Sequence, residues 1–321
     1  MNLDRREFLN CISNATILAI SPAAMPAAGG TGKNAISQAA SGSPKRPTLA
    51  HEYLSMESAL GATVADYSDL SGVIHRTLTR ILPSIARHNL RELRKWDAVD
   101  ILNQIGESLN KEGFRFAARG TLLCTSLRTR IIACHYAAAV VFSIGEQTGL
   151  PLSMMKVPSH VFLRLRLGNG EDLNWDMYLK NNGVTADDNY YQRWYRIDRQ
   201  TARRGGYLCN LNRNEMLAIE YNALGVAWTM KSRWDLAALS FSKAIALDSR
   251  MSEAFKNRGS MKYHRAATIP GNKRDRREEL YSAIADLEEA VRINHNYAEA
   301  LYSLQLAHYE LKSLSRKNRR E

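Results

Sequence analysis

Val157-Pro158-Ser159-His160-Val161-Phe162-Leu163-Arg164-Leu165-Arg166-Leu167-Gly168-Asn169-Gly170-Glu171-Asp172-Leu173-Asn174-Trp175-Asp176 is the stretch whose reading decides the fold. Val161, Leu163, Leu165 and Leu167 alternate with His160, Phe162, Arg164 and Arg166. Period two predicts a half-buried strand. Gly168-Asn169-Gly170 reads as a turn, and Leu173 and Trp175, alternating with Asp172, Asn174 and Asp176, as a second strand. Both apolar sets must share one face, and a slip of one residue would part them. Leu163 therefore belongs opposite Trp175, and Leu167 opposite Glu171. His160 then faces Tyr178, Asp176 faces Phe162, and His160 and Asp176 become diagonal neighbours on the polar face. Diagonal pairs lie roughly 7–8 Å apart, close enough to hydrogen-bond once their side chains lean together.

Upstream, Ile131-Ile132-Ala133-Cys134-His135-Tyr136-Ala137-Ala138-Ala139-Val140-Val141-Phe142-Ser143-Ile144 is apolar nearly all round. As a helix it has no solvent face and belongs in a core. It is too short to span a bilayer, which needs roughly 20 residues. Gly149 and Pro151 supply a stop. A lone cysteine here reads as a small core residue. At a helix start, however, unpaired N–H groups and the dipole favour a thiolate. With His160 and Asp176 downstream, Cys134 completes a nucleophile–base–orienter set. The histidine shares the thiol proton and the aspartate fixes its tautomer. Amide N–H groups at the helix start, that of Cys134 among them, hold the oxyanion. His135 reads as packing or a local modifier of the thiol's acidity, and Cys124 is the rival nucleophile.

The helix exit Glu146-Gln147-Thr148-Gly149-Leu150-Pro151-Leu152, the Pro158-Ser159-His160 strand and the Asn174-Trp175-Asp176 strand follow Cys134 in order. From about Phe114 to Trp194 the chain resembles the transglutaminase-like cysteine-enzyme superfamily, in its bacterial branch with C-terminal tetratricopeptide repeats. Relatives often carry Glu where Asp176 stands. The resemblance implies an α+β, papain-like core, its Cys helix packed on an antiparallel sheet, with Cys134, His160 and Asp176 catalytic. It implies a cysteine hydrolase or thiol protease acting on amides; cross-linking is less expected. No cofactor and no metal are expected. The alternative is an inactive scaffold that binds proteins.

Before this core, the pattern from Glu52 to Phe116 is helical. Tyr67-Ser68-Asp69-Leu70 offers a start, and Pro83 a kink or stop, for a stripe of Val73, Leu78, Ile81 and Leu82. A second amphipathic helix covers Asp97 to Ile105 and stops near Gly113. His75 and His88 lie on these helices without partners at metal spacing. At the extreme N-terminus, Arg5, Arg6, Phe8, Leu9 and Asn10 precede a mildly apolar run, the layout of a twin-arginine leader. Residues 1–30 are expected to be that leader, residues 31–51 a disordered linker, and the product periplasmic. Loss of the leader removes Cys11 and leaves Cys124, Cys134 and Cys209, an odd count. A Cys124–Cys209 bridge would leave Cys134 free.

After the core, Asn181-Asn182-Gly183 to Asp188, with Tyr190, Tyr191 and Trp194, reads as an exposed loop lining a groove or anchoring the next domain. The transglutaminase-like domain is set at residues 52–205. Over residues 211–321, Tyr221, Leu224, Gly225, Trp228, Ala237, Phe241 and Ala244 fit the tetratricopeptide pattern, and Gly259 follows Gly225 at its period. An insertion, Arg265 to Arg276, interrupts the second repeat. Tyr297 to Leu311 begins a third unit that caps the array, and Lys312 to Arg320 is a basic tail. This all-α domain is expected to take a protein or peptide partner. The net charge of +12 suggests an anionic contact through the basic insertion and tail. Basic residues are not interleaved with aromatics, which disfavours nucleic acid.

Overall fold

The computed structural model describes residues 47–117, 122–177, 187–269 and 273–317. The leader of residues 1–30, Tyr178 and Asn181-Asn182-Gly183 lie outside these, as does Pro270 to Asn272. The fold is mixed α+β with small sheets. The chain divides into two compact units, and the division falls between Tyr191 and Gln192.

In the first unit, α1 spans Leu49–Met56, α2 Val64–Ile85 and α3 Lys95–Lys111. Helix α1 begins inside the stretch expected to be linker: Leu49 and Ala50 are fully buried. Thr48 supplies no side-chain cap. The caps come from far along the chain, as Glu146 Oε2 accepts from Leu49 N at 2.8 Å and Ser143 Oγ from Ala50 N at 3.0 Å. Helix α2 starts earlier than Tyr67, because Thr63 and Asp66 form a capping box. It also runs through Pro83 to Ile85. Pro83 forfeits its own hydrogen bond to the Thr79 carbonyl and its ring crowds that carbonyl, yet the helix ends only two residues later. Helix α3 closes with Gly113 at φ +88°.

Next come β1 (Arg115–Phe116), α4 (Leu123–Thr129), β2 (Ile131–Ile132) and α5 (Cys134–Thr148). Ile131 and Ile132 pair in parallel with Arg115 and Phe116 and are not helical. This pairing stops the helix from starting earlier, and Cys134 becomes its first residue. Gly149, in the left-handed region, closes α5 by donating to the Gly145 carbonyl at 2.9 Å.

A three-stranded antiparallel sheet follows, in the order β3 (Leu152–Val157), β4 (His160–Arg166), β5 (Asp172–Trp175). Leu163 faces Trp175, Leu165 faces Leu173, and Leu167 N donates to Glu171 O at 2.8 Å. This is the register required by the apolar alternation. Strand β3 shows no alternation in sequence, and Met154 and Met155 are both fully buried. Nor is β4 half-buried as expected: Phe162 is 2% and Arg164 8% exposed. A short helix, α6 (Asp188–Trp194), stands where an exposed loop was expected, and Tyr191 packs flat on Phe162. Helix α5 packs on β3 and β4 and against α1 and α2.

The second unit starts at Gln192, before the boundary expected near residue 205. Tyr207 is buried with its hydroxyl 2.8 Å from Ser252, Asp198 pairs with His295, and the Arg196 carbonyl accepts from Asn296. These contacts attach α7 (Arg199–Gly205) to five following helices: α8 (Arg213–Met230), α9 (Trp234–Leu247), α10 (Ser252–Thr268), α11 (Lys273–Ile293) and α12 (Ala298–Lys317). Gly225 and Gly259 sit where helices nearly touch. A Cβ on Gly225 would lie 2.5 Å from Phe241, and one on Gly259 2.9 Å from the Ala283 carbonyl oxygen. Arg258 forks onto Asp286, which Lys262 also reaches. The described insertion residues lengthen α10 and α11. Its arginines meet acids, Arg265 with Glu279, Arg274 with Glu278 and Arg276 with Glu310. Among the described residues no helix is long and apolar enough to cross a membrane.

Candidate active site

Cys134 occupies the first position of α5, where the chain leaves β2. The N-cap residue is Ala133, which offers no side-chain acceptor to the first-turn N–H groups. Cys134 is partly exposed as a residue and is not disulfide-bonded. His160 opens β4 directly after the Pro158-Ser159 turn, with Ser159 at φ +60°. Asp176 is the residue after β5 and is 3% exposed.

The hairpin register brings the last two together. His160 Nε2 meets Asp176 Oδ2 at 2.6 Å. The shorter aspartate therefore reaches the imidazole. With Nε2 engaged, Nδ1 is left for the thiol, and His160 and Cys134 lie within hydrogen-bonding reach. Asp176 has a second donor, the Tyr191 hydroxyl at 3.2 Å.

Electrostatics favour an ion pair. Burial opposes ionisation of Cys134, but hydrogen bonding from His135 and His160, with the charge of the His160 imidazolium, outweighs it, and the thiol falls to about 5. Burial also opposes the His160 imidazolium, but Asp176 and the Cys134 thiolate outweigh it and raise the imidazole to about 9. Thiolate and imidazolium coexist between those values.

Cys124, the rival, is in the opposite situation. It is 1% exposed, and burial, then the Glu57 carboxylate, push its thiol up to about 12. Glu57 is itself fully buried and accepts from the amides of Leu123 at 2.5 Å and Cys124 at 2.7 Å, capping α4. Cys209 is exposed, and the three described cysteines are free thiols, so the suggested Cys124–Cys209 bridge is absent.

A narrow cleft of about 10 Å³ adjoins the thiol, lined by Ala137, Ala138, Val161, Leu163, Trp175 and Met177 among others. The Trp175 indole N–H is buried without a hydrogen-bond partner. Gly106 makes room for that indole, since a Cβ there would already touch it at 3.4 Å. Tyr191 and Trp175 were not legible as site residues: Tyr191 reads as one of several loop aromatics, and Trp175 as a core strand residue. His75 and His88 stand apart from this cluster, and His88 lies 3.8 Å from Asp97.

Compared with protein-family models, curated proteins and solved structures, the chain matches none.

Proposed function

We propose that residues 47–191 form a transglutaminase-like, papain-type thiol hydrolase that cleaves an amide through Cys134, His160 and Asp176. The observation carrying this is the convergence of three groups from three elements. A thiol of lowered pKa opens a buried helix beside an imidazole tied to a carboxylate at 2.6 Å. The Cys134 thiolate attacks the carbonyl carbon, and the oxyanion meets amide N–H groups at the start of α5. Trp175 lines the same cleft. The His160 imidazolium passes its proton to the leaving nitrogen as the C–N bond breaks, leaving a thioester. Neutral His160 then takes a proton from water, which attacks the thioester and releases the acid and the thiolate.

The helices from Arg213 to Lys317 are proposed to be tetratricopeptide-type repeats that recruit a peptide or protein partner. Supporting this are the close approaches at Gly225 and Gly259 at the repeat spacing. Arg5-Arg6 with Phe8-Leu9 supports export to the periplasm, which cell fractionation tests.

The deciding experiment assays peptide, cell-wall peptide and ester substrates with wild type, Cys134→Ala and His160→Ala. Turnover lost in both variants is expected. Turnover that survives Cys134→Ala contradicts the proposal. The narrowness of the cleft favours the second reading, a scaffold with a silent triad. In that case none of these substrates is turned over by wild type.

A further inference from the structure

The proposed triad leaves one imidazole at the thiol unused. His135 follows Cys134 in the first turn of α5 and is half-buried. Its ring lies tilted beside that of Tyr136, centroids 3.9 Å apart, and within hydrogen-bonding reach of the Cys134 thiol. Its Nε2 is buried and has no hydrogen-bond partner. The nitrogen that serves the thiol is therefore Nδ1.

Packing alone does not account for this side chain. An unpaired buried nitrogen is destabilising, and a leucine or phenylalanine would fill the space without it. The missing partner also fixes the tautomer. A neutral imidazole carries one N–H, and with nothing to bond at Nε2 the proton belongs on Nδ1, where a thiolate accepts it. His160 differs in having Asp176 on its far nitrogen. It can hold a proton and pass it on, whereas His135 is a fixed donor.

We propose that His135 is a positioning residue, a second imidazole whose Nδ1–H holds the Cys134 thiolate independently of His160. This rests on Cys134 being the nucleophile and adds a division of labour. His160 moves protons between sulfur, leaving group and water. His135 stays on the sulfur and receives the thiolate each time it is released. The titratable groups around the thiol are then His135 and Tyr136 from α5, His160 from β4, Asp176 after β5, and Tyr191 from α6 through Asp176.

The test is the pH dependence of iodoacetamide alkylation at Cys134, read by peptide mapping on the full chain. Wild type is compared with His135→Phe, His135→Asn, His160→Ala and the His135→Phe/His160→Ala double variant. Asparagine keeps a donor at the Nδ1 position, and phenylalanine keeps only the volume. His135→Phe is expected to move the inflection up by about one pH unit, the size of one charge-assisted hydrogen bond. His135→Asn is expected to restore most of that shift, and the double variant to move further than His160→Ala alone. An inflection unmoved by His135→Phe, or asparagine behaving as phenylalanine does, overturns the proposal. If His160→Ala still slows Cys134 in that case, the nucleophile assignment stands without His135. A wild-type Cys134 that labels no faster than Cys209 removes the nucleophile assignment itself, and this inference with it.

Discussion

The Tyr191 hydroxyl donates to the carboxylate of Asp176 at 3.2 Å. The same ring lies on Phe162 with centroids 4.1 Å apart and planes 2° from parallel. One tyrosine thus holds the acid that holds the base. Tyr191→Phe keeps the stack and removes the hydroxyl. A loss of about 0.5–1.5 kcal/mol in stability is expected, measured by denaturant unfolding. A few-fold fall in turnover is expected alongside, with the substrate KM unchanged.

Turnover should follow a bell-shaped pH profile. Below about 5 the Cys134 thiol is protonated and the nucleophile is lost. Above about 9 His160 loses its proton, and with it the acid that serves the leaving group. Asp176 raises the His160 value, so Asp176→Asn should draw the alkaline limb to lower pH. Initial rates across the pH range, in both proteins, check this.

Glu57 supports the fold from beneath α4. Its buried carboxylate takes two amide hydrogens, from Leu123 and Cys124. Glu57→Gln leaves one oxygen to serve both and presents an NH2 group to the other donor. A loss of about 1–3 kcal/mol is expected in urea unfolding. Cys124 should become easier to ionise, because the neighbouring charge that raises it is gone.

In the second unit Gly259 is a sharper test of packing than Gly225. The atom a new Cβ would strike is a backbone carbonyl, that of Ala283, with the Leu287 side chain nearer still at 2.7 Å. A flexible side chain can move aside and a helix backbone cannot. Gly259→Ala is therefore expected to cost about 1–3 kcal/mol, seen as a lower melting temperature.

The pair His160–Asp176 was legible because period two is unforgiving: one register satisfies Leu163, Leu165, Leu167, Leu173 and Trp175 together. Cys134 was legible as a helix-start thiol, but its position as the first residue was not. That depends on Ile131 and Ile132 pairing with Arg115 and Phe116, a contact between residues distant in sequence. Strand β3 escaped notice because Met154 and Met155 are both buried, which erases alternation. The start of α2 could have been read from Thr63 and Asp66, a capping box in plain sequence. Tyr191 could not, since nothing local marks which of several aromatics will cover a polar strand face. The start of the second compact unit at Gln192 is hidden in the sequence for a similar reason. Tyr207 and Asp198 find their partners at Ser252 and His295, far along the chain.

Competitive alkylation tests the central claim most directly. Limiting iodoacetamide is added to the native protein near neutral pH, and the adducts on Cys124, Cys134 and Cys209 are quantified by peptide mapping. Cys134 should label at least about tenfold faster than exposed Cys209, because it is thiolate at that pH. His160→Ala should remove most of the advantage. Labelling of Cys134 no faster than Cys209, or a rate indifferent to His160, would contradict a thiolate–imidazolium pair at the start of this helix.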